Sequence, residues 1–86
     1  MNDLEKQLKA LANKRRLAIV KYLKKNSKVP VSDIAKEIHL SFKSTSRHLA
    51  VLRAADIVDK RQVNLNSYYF LSAPLSNAAQ AVLTLL

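Results

Sequence analysis

The fold of this chain is decided by the stretch SFKSTSRHLAVLRA, which covers residues 41–54. With successive side chains about 100° apart around a helix axis, Thr45, Leu49 and Leu52 form one apolar stripe, and Phe42 lies at its edge. The opposite side carries basic and small side chains without an acid, namely Lys43, Arg47, Ala50 and Ala54, with Ser44 and Ser46 beside them. The spacing therefore predicts one helix that packs through its apolar stripe and exposes a basic face.

The basic face of this predicted helix has the chemistry of a nucleic-acid contact surface. Ser41 is a good N-cap, and the free N–H groups of the first turn, with the positive end of the helix dipole, favour a bound phosphate. Serine side chains are short enough to lie close to a groove. An ordinary solvated surface helix would show the same residues, so the surrounding elements must distinguish the two interpretations.

The charge of the whole chain favours the first interpretation. Its 86 residues contain 15 Lys and Arg against 6 Asp and Glu, which gives a net charge of +9 and a pI near 10.2. We expect one domain over residues 1–86, and a basic domain of this size is typical of nucleic-acid binding first and of an anionic membrane surface second. No charged side chain follows Arg61, so we expect the C-terminal part to contact protein.

Several kinds of chemistry are excluded by what the sequence lacks. Without cysteine, disulfides and thiolate metal sites are excluded. Two isolated histidines do not supply the ligands of a zinc site, so we expect no metal and no cofactor. Ser44 and His48 are one helical turn apart, but no third group orients the imidazole, and we expect no enzyme activity. The polar N-terminal residues do not suggest a signal peptide, which predicts a cytoplasmic location.

The first and last helices each carry an apolar stripe without an evident partner. The periodicity predicts an amphipathic helix over about residues 3–12 and a last helix over about residues 75–86. The stripes consist of Leu4, Leu8 and Leu11 in the first helix and of Leu75, Ala79, Val82 and Leu86 in the last. The last helix is too short to span a bilayer, and its polar face lacks Lys and Arg, so a protein interface is favoured over a membrane.

Between these ends the sequence predicts a helix-turn-helix. Asn13 is a good N-cap for a second helix, which ends in two lysines. Pro30 holds the preceding residue in an extended conformation, and we expect Ser32 to cap a short third helix. A tight break at residues 39–41 leads into the helix 41–54. Two short helices joined in this way are the layout of a helix-turn-helix.

A β-hairpin follows. The runs 57–63 and 67–71 are rich in β-branched and aromatic residues and are separated by Asn64-Leu65-Asn66. Because the chain has no glycine, asparagine is best suited to any left-handed backbone angle in the turn. We expect the aromatic residues of the second run to pack on the helices rather than to stack on bases. The sequence thus predicts a mainly α fold with a small β-hairpin, a winged helix-turn-helix, in the order helix, helix, short strand, helix, helix, strand, strand, helix.

Two strings are specific enough to compare with known families. LANKRRLAIV covers residues 11–20, and SRHLAVLRAA covers residues 46–55. They resemble the Leu-Ala-Asp-Pro-x-Arg-Leu-x-Ile-Leu opening and the Ser-x-His-Leu-x-x-Leu-x-x-Ala run of the ArsR/SmtB winged-helix repressors. Tyr68-Tyr69 in the hairpin is a weaker third match. The resemblance covers essentially the whole chain and implies a homodimer that binds double-stranded DNA.

The resemblance also implies a role for each element. The first and last helices would pair across a two-fold axis through the stripes named above, the helix 41–54 would enter the major groove, and the hairpin 57–71 would be the wing. The implied DNA contacts are Ser41, Lys43, Ser44, Ser46 and Arg47 in the helix and Lys60, Arg61, Asn64 and Asn66 in the wing.

The chain departs from the family's pattern in several places. Family members that sense soft metals carry cysteines in the third helix, and those that sense zinc-like metals use Asp and His on the last helix, whereas this chain has neither set. The resemblance therefore implies no metal site here and leaves the inducer unknown. Asp56 replaces the family's glycine before the hairpin, and Lys14 replaces its proline.

Two classes of function stay open at this stage. The first is a dimeric, sequence-specific DNA-binding regulator, a repressor that reads an inverted-repeat operator. The alternative is a winged-helix module that binds another protein and whose charge is incidental. The acid-free surface around Lys43 and Arg47 favours the first, because a protein-docking helix does not need it. His48, at the edge of the apolar stripe, is expected to be a hydrogen-bonded structural residue.

Overall fold

The computed structural model of the chain describes residues 3–86, which form five helices and a three-stranded sheet. In chain order the elements are α1 (Asp3–Leu11), α2 (Lys14–Lys25), β1 (Val29–Pro30), α3 (Val31–Ile38), α4 (Phe42–Ala54), β2 (Val58–Val63), β3 (Asn66–Leu71) and α5 (Asn77–Thr84). Their types and order confirm the predicted winged helix-turn-helix. Among these described helices, none combines the length and apolar character needed to cross a bilayer.

The sheet has the strand order β1-β3-β2 and is antiparallel throughout. β2 and β3 form the predicted hairpin, in which Val63 pairs with Asn66 across a tight loop. The short strand β1 pairs with the other edge of β3, where Val29 lies opposite Tyr69. The Tyr69 side chain is buried in the core. The base of the hairpin is therefore fixed to the helices, while its tip extends outward.

The core confirms the inward stripe of α4 but not the place of its first aromatic residue. Thr45, Leu49 and Leu52 are fully buried. Phe42 is 61% exposed, so the expectation that it borders the packed stripe is wrong. Phe42 is the first residue of α4 and has no preceding helical turn beside it, so its ring extends past the end of the helix.

Two predicted N-caps are confirmed. Asn13 Oδ1 accepts hydrogen bonds from the backbone N–H groups of Arg15 and Arg16, at 2.9 and 3.1 Å. Ser41 Oγ accepts a hydrogen bond from the backbone N–H of Ser44 at 3.1 Å. These bonds satisfy N–H groups that have no partner within a helix, and they fix where α2 and α4 begin.

Three helix boundaries differ from the prediction. α3 begins at Val31, with Pro30 rather than Ser32 as its N-cap residue. The φ of Pro30 is −70°, which already suits the approach to a helix. α5 begins at Asn77 rather than at residue 75, because Ser76 Oγ accepts a hydrogen bond from an N–H of the first turn at 3.1 Å. It ends at Thr84 rather than at residue 86.

Three of the described residues adopt left-handed backbone angles without being glycine: His39, Asp56 and Asn64, with φ of 55°, 60° and 57°. Asn, Asp and His are the residue types that tolerate this region best after glycine. His39 ends α3, Asp56 precedes the hairpin, and Asn64 forms its loop. Asp56, at the position where the family pattern has glycine, thus has a left-handed conformation. The prediction for the loop is confirmed for Asn64, whereas Asn66 is extended in β3.

Candidate nucleic-acid interface

The outward face of α4 is basic, exposed and free of acids. Lys43 and Arg47 are both exposed, and so are the small residues Ala50 and Ala54 further along the same face. Within residues 3–86, neither cation makes a hydrogen bond or an ion pair with another side chain. Because the opposite stripe of α4 is buried, this face is held outward by the core. Both cations are therefore free to contact an external anion.

The three serines of α4 differ in their roles. Ser41 uses its oxygen as the N-cap of the helix, as described above. Ser44 and Ser46 are half-buried and flank the basic face. The first helical N–H groups of α4 have no partner within the helix, and together with the helix dipole they favour an anion at this exposed end.

The four wing residues predicted from the sequence are all exposed: Lys60, Arg61, Asn64 and Asn66. Side chains alternate between the two faces of a strand, so Lys60 and Arg61 point to opposite sides of the hairpin. The structure therefore divides the predicted wing set. Lys60 lies opposite the buried Tyr69, on the face of the hairpin toward the helices. Arg61 and Asn66 lie on the other face, and Asn64 occupies the tip.

A groove lies between α4 and the hairpin, and we call it the wing groove. Its lining includes Ser32, Phe42, Ser46, Lys60, Leu65 and Asn66. No acidic side chain is among the described residues that line it. Three predicted contact residues, Ser46, Lys60 and Asn66, are thus brought together, while Lys43 and Arg47 lie on the adjoining outward face. The groove also places the exposed aromatic ring of Phe42 on this surface, which sequence reasoning missed.

An exposed ion pair connects the base of the hairpin with the end of α4. Arg53 Nε lies 3.3 Å from Asp59 Oδ1, and the same oxygen accepts a hydrogen bond from the backbone N–H of Lys60 at 2.8 Å. The Lys60 N–H, with a smaller contribution from the Arg53 guanidinium, holds the pKa of Asp59 below its usual value. The negative charge of Asp59 is therefore paired with Arg53 and does not face a bound polyanion alone.

Arg15 and Arg16 make contacts within the chain that the sequence did not predict. Arg16 donates from Nε to the carbonyl oxygen of Ala10 and from Nη2 to that of Lys9 at 3.3 Å. Arg15 donates from Nη1 to the carbonyl oxygen of Ile38 at 2.9 Å. Each guanidinium thus binds the C-terminal end of a neighbouring helix, where free carbonyl groups and the negative dipole end favour a cation.

His48 is linked to this arginine cluster. It is half-buried, and its Nδ1 lies 3.3 Å from Arg16 Nη1. Burial, and then the charges of Arg16 and Arg15, lower the pKa of His48 below its ordinary value. The neutral imidazole can accept the Arg16 N–H at Nδ1, whereas the imidazolium has no free lone pair. The predicted structural, hydrogen-bonded role of His48 is confirmed.

The predicted dimer stripes are only partly at the surface. Leu4 and Leu8 are exposed at 56% and 48%. Leu75, Val82 and Leu86 are half-buried against the core. The other two predicted residues, Leu11 and Ala79, are buried inside the protomer, because α1 packs against α5 within one chain. The structure therefore removes Leu11 and Ala79 from the set of side chains available to a partner.

The fold and the exposed basic helix together define the chain as a DNA-binding protein of the winged helix-turn-helix class. A family model described as "Bacterial regulatory protein, arsR family" matches residues 13–60, which is more than half of the chain. The chain therefore belongs to the ArsR family of transcription regulators and is not an enzyme. No curated protein matched the sequence in a direct comparison.

Solved structures agree with this assignment over nearly the whole chain. The reduced form of HlyU from Vibrio cholerae is 34% identical, with a TM-score of 0.83 over 98% of this chain and 84% of HlyU. The transcriptional repressor PagR of Bacillus anthracis is 26% identical, with a TM-score of 0.82 over 98% of this chain and 93% of PagR.

A third similar structure is the domain of Mb0332 from Mycobacterium bovis, described as a homodimeric winged helix-turn-helix DNA-binding domain. It is 25% identical, with a TM-score of 0.85 over 96% of this chain and 74% of that one. Within residues 3–86 of the present chain, no group of three or more His, Cys, Asp or Glu side chains is placed to hold a metal ion.

Proposed function

We propose that the chain is a homodimeric, sequence-specific transcriptional repressor that acts in the cytoplasm and binds an inverted-repeat operator. In this proposal α4 of each protomer enters the major groove, and the hairpin contacts the minor groove or the backbone. Two recognition helices about 34–36 Å apart would match successive major grooves on one side of B-DNA. Repression would follow from occlusion of a promoter.

The observation that carries this proposal is the acid-free outward face of α4. Lys43 and Arg47 are exposed and unpaired among the described side chains, whereas the arginines at the start of α2 are bound to helix ends. Arginine can donate two hydrogen bonds to guanine, and lysine neutralises phosphates. A surface with two unpaired cations beside a helix N-terminus is suited to double-stranded DNA, which presents phosphates and base edges together.

The homodimer is supported by the exposed leucines of α1. Leu4 and Leu8 are exposed on α1, which packs against α5, and Leu85, directly after α5, is also largely exposed. A small domain buries a limited share of its apolar surface on its own, and a second copy related by a two-fold axis would cover the same patch on both chains. The relative from Mycobacterium bovis is described as homodimeric, which supports the same arrangement here.

The direct test of DNA binding is selection of bound sequences from random duplexes with the purified chain. We expect a palindromic consensus and an affinity that falls with salt by about 0.9 in log units per phosphate neutralised. No enrichment, together with an affinity that does not depend on salt, would contradict the proposal and favour the protein-docking alternative. Repeating the selection with divalent metals tests the expected absence of a metal effect.

The dimer is tested separately with Leu8→Asp, which places a charge in the proposed interface. An unpaired buried charge is strongly unfavourable, so we expect monomers in analytical ultracentrifugation. Ser27→Asp adds the same charge in the exposed connector between α2 and β1 and should leave the dimer intact. An unchanged dimer in Leu8→Asp would place the interface elsewhere.

A further inference from the structure

Phe42 is a large apolar side chain on the DNA-facing side of the molecule. It is the first residue of α4 and is 61% exposed, whereas the apolar stripe that follows it in the same helix is fully buried. Single exposed hydrophobic residues are common on protein surfaces, so exposure alone does not assign a role. The position of Phe42 in the wing groove supplies the additional observation.

The wing groove, which Phe42 helps to line, also contains polar and basic groups that can contact DNA. Ser46 lies one helical turn further along α4, and Lys60 and Asn66 line the same groove from the hairpin. No acid is among the described lining residues, so a phosphate backbone can approach without repulsion. In helix-turn-helix proteins the N-terminal residues of the second helix are the ones that contact base edges. Phe42 occupies that end of α4.

The chemistry of the ring limits what it can recognise there. A phenyl ring has no hydrogen-bond donor or acceptor for the polar atoms of the base edges. In the major groove, the thymine C5-methyl is the one apolar group that any of the four bases presents. We propose that Phe42 is a specificity-determining residue that packs against the C5-methyl of a thymine in each half-site. This inference rests on the proposed function, since it requires α4 in the major groove.

The size of the effect follows from the loss of one buried methyl group. Replacing that thymine with deoxyuridine removes the methyl and leaves every hydrogen-bonding atom of the base in place. Burial of one methylene is equivalent to about a fourfold change in affinity. Substitution in both half-sites of a symmetric operator should therefore weaken binding by about fifteenfold if the two contacts are independent.

The hairpin provides an internal control for this contact. Leu65, at the hairpin tip, is 95% exposed and lines the same groove. The thymine methyl is in the major groove only, so a side chain that reaches the minor groove or backbone cannot sense it. Leu65→Ala removes exposed apolar surface of similar kind and should leave discrimination between thymine and deoxyuridine unchanged.

The experiment measures affinity for a selected operator in which each thymine is replaced in turn, in both half-sites, by deoxyuridine. We expect one position at which the wild-type protein and Leu65→Ala both lose about fifteenfold, while Phe42→Ala binds the two duplexes equally. Phe42→Leu keeps an apolar side chain and should retain part of the discrimination, and thermal melting verifies that both Phe42 variants fold. Equal wild-type binding to every substituted duplex, or discrimination that persists in Phe42→Ala, would overturn this inference while leaving operator binding established. Failure to select any sequence would overturn the proposed function as well.

Discussion

Two pairs of basic side chains resemble each other in the sequence and differ in the structure. Arg15 and Arg16, at the start of α2, are half-buried and donate hydrogen bonds to the carbonyl ends of α1 and α3. Lys43 and Arg47, on α4, are exposed and have no partner among the other described side chains. The first pair connects helices within the protomer, and the second is available to an external anion.

The difference shows that net charge alone does not locate a DNA-binding surface. A helix C-terminus has free carbonyl groups and a negative partial charge, so it can bind a nearby guanidinium group in place of an external anion. Arginines close in sequence to a helix end are therefore candidates for hydrogen bonds within the protein. A cation contributes to DNA binding only where the fold leaves it without such a partner.

The largest expected effect is a loss of stability in a variant of the arginine pair of α2. Arg16→Ala removes the donor to two carbonyl groups of α1 and to His48, and we expect the free energy of unfolding to fall by about 2–3 kcal/mol. Urea denaturation at a fixed protein concentration measures this loss. Lys14→Ala, at an exposed position two residues earlier in the same helix, is the matched control and should change stability little. Equal stability of the two variants would show that the hydrogen bonds of Arg16 to the helix end do not contribute to the free energy of unfolding.

Arg47→Ala should show the opposite pattern. We expect normal stability and a loss of about 1–3 kcal/mol in specific DNA binding if Arg47 donates to a guanine. Fluorescence anisotropy with the selected operator and a scrambled duplex measures the change. Arg53→Ala is the control on the same helix, because Arg53 is engaged with Asp59 and lies at the far end from the helix N-terminus. Equal losses in the two variants would mean that the helix is oriented differently.

Lys43→Ala tests the phosphate side of the same surface, with a smaller expected effect. A phosphate contact weakens binding to all sequences alike, so specificity should be kept and the slope of log affinity against log salt should decrease by about 0.9. Titrations of operator and scrambled duplex at several salt concentrations provide the slope. A loss confined to one base pair of the operator would instead identify Lys43 as a base contact.

The order of elements and the inward stripe of α4 could be predicted from the sequence because they depend on periodicity and capping, which are local. The exposure of Phe42 and the burial of Leu11 could not, since each depends on how a helix end meets its neighbours. For Leu11 the stripe pattern was correct, but the packing of α1 against α5 within one chain decided which leucines stay outside.

The same limit applies to the arginines. The family-like string at residues 11–20 contains Arg15 and Arg16, yet nothing local shows that their guanidinium groups reach carbonyl oxygens of α1 and α3. For Arg16 the available signal is its position shortly after a helix that ends at Leu11, where C-terminal carbonyl groups must find donors. Arg15 binds the carbonyl oxygen of Ile38 at the end of α3, which is distant in the sequence. Sequence reasoning therefore identified the free cations of α4 but not the engaged cations of α2.

The smallest expected effect is a pH dependence of stability that originates in His48. Its pKa is lowered in the folded chain by burial and by the charges of Arg16 and Arg15, so the unfolded chain takes up the proton first as the pH falls. The stabilisation is complete above the ordinary histidine pKa of 6.5 and is lost as the pH falls below it toward the folded value. His48→Gln keeps a neutral acceptor for Arg16 without titrating. We expect the decline in unfolding free energy between pH 7 and pH 5, measured by urea denaturation, to be smaller in His48→Gln than in the wild type. Asp59 does not interfere, because its pKa is lowered and its stabilising contribution is lost only as the pH falls below the ordinary aspartate pKa of 3.8. An identical decline in the two proteins would show that the contact with Arg16 does not favour the neutral imidazole, and the arginine pair of α2 would then act through the carbonyl groups alone.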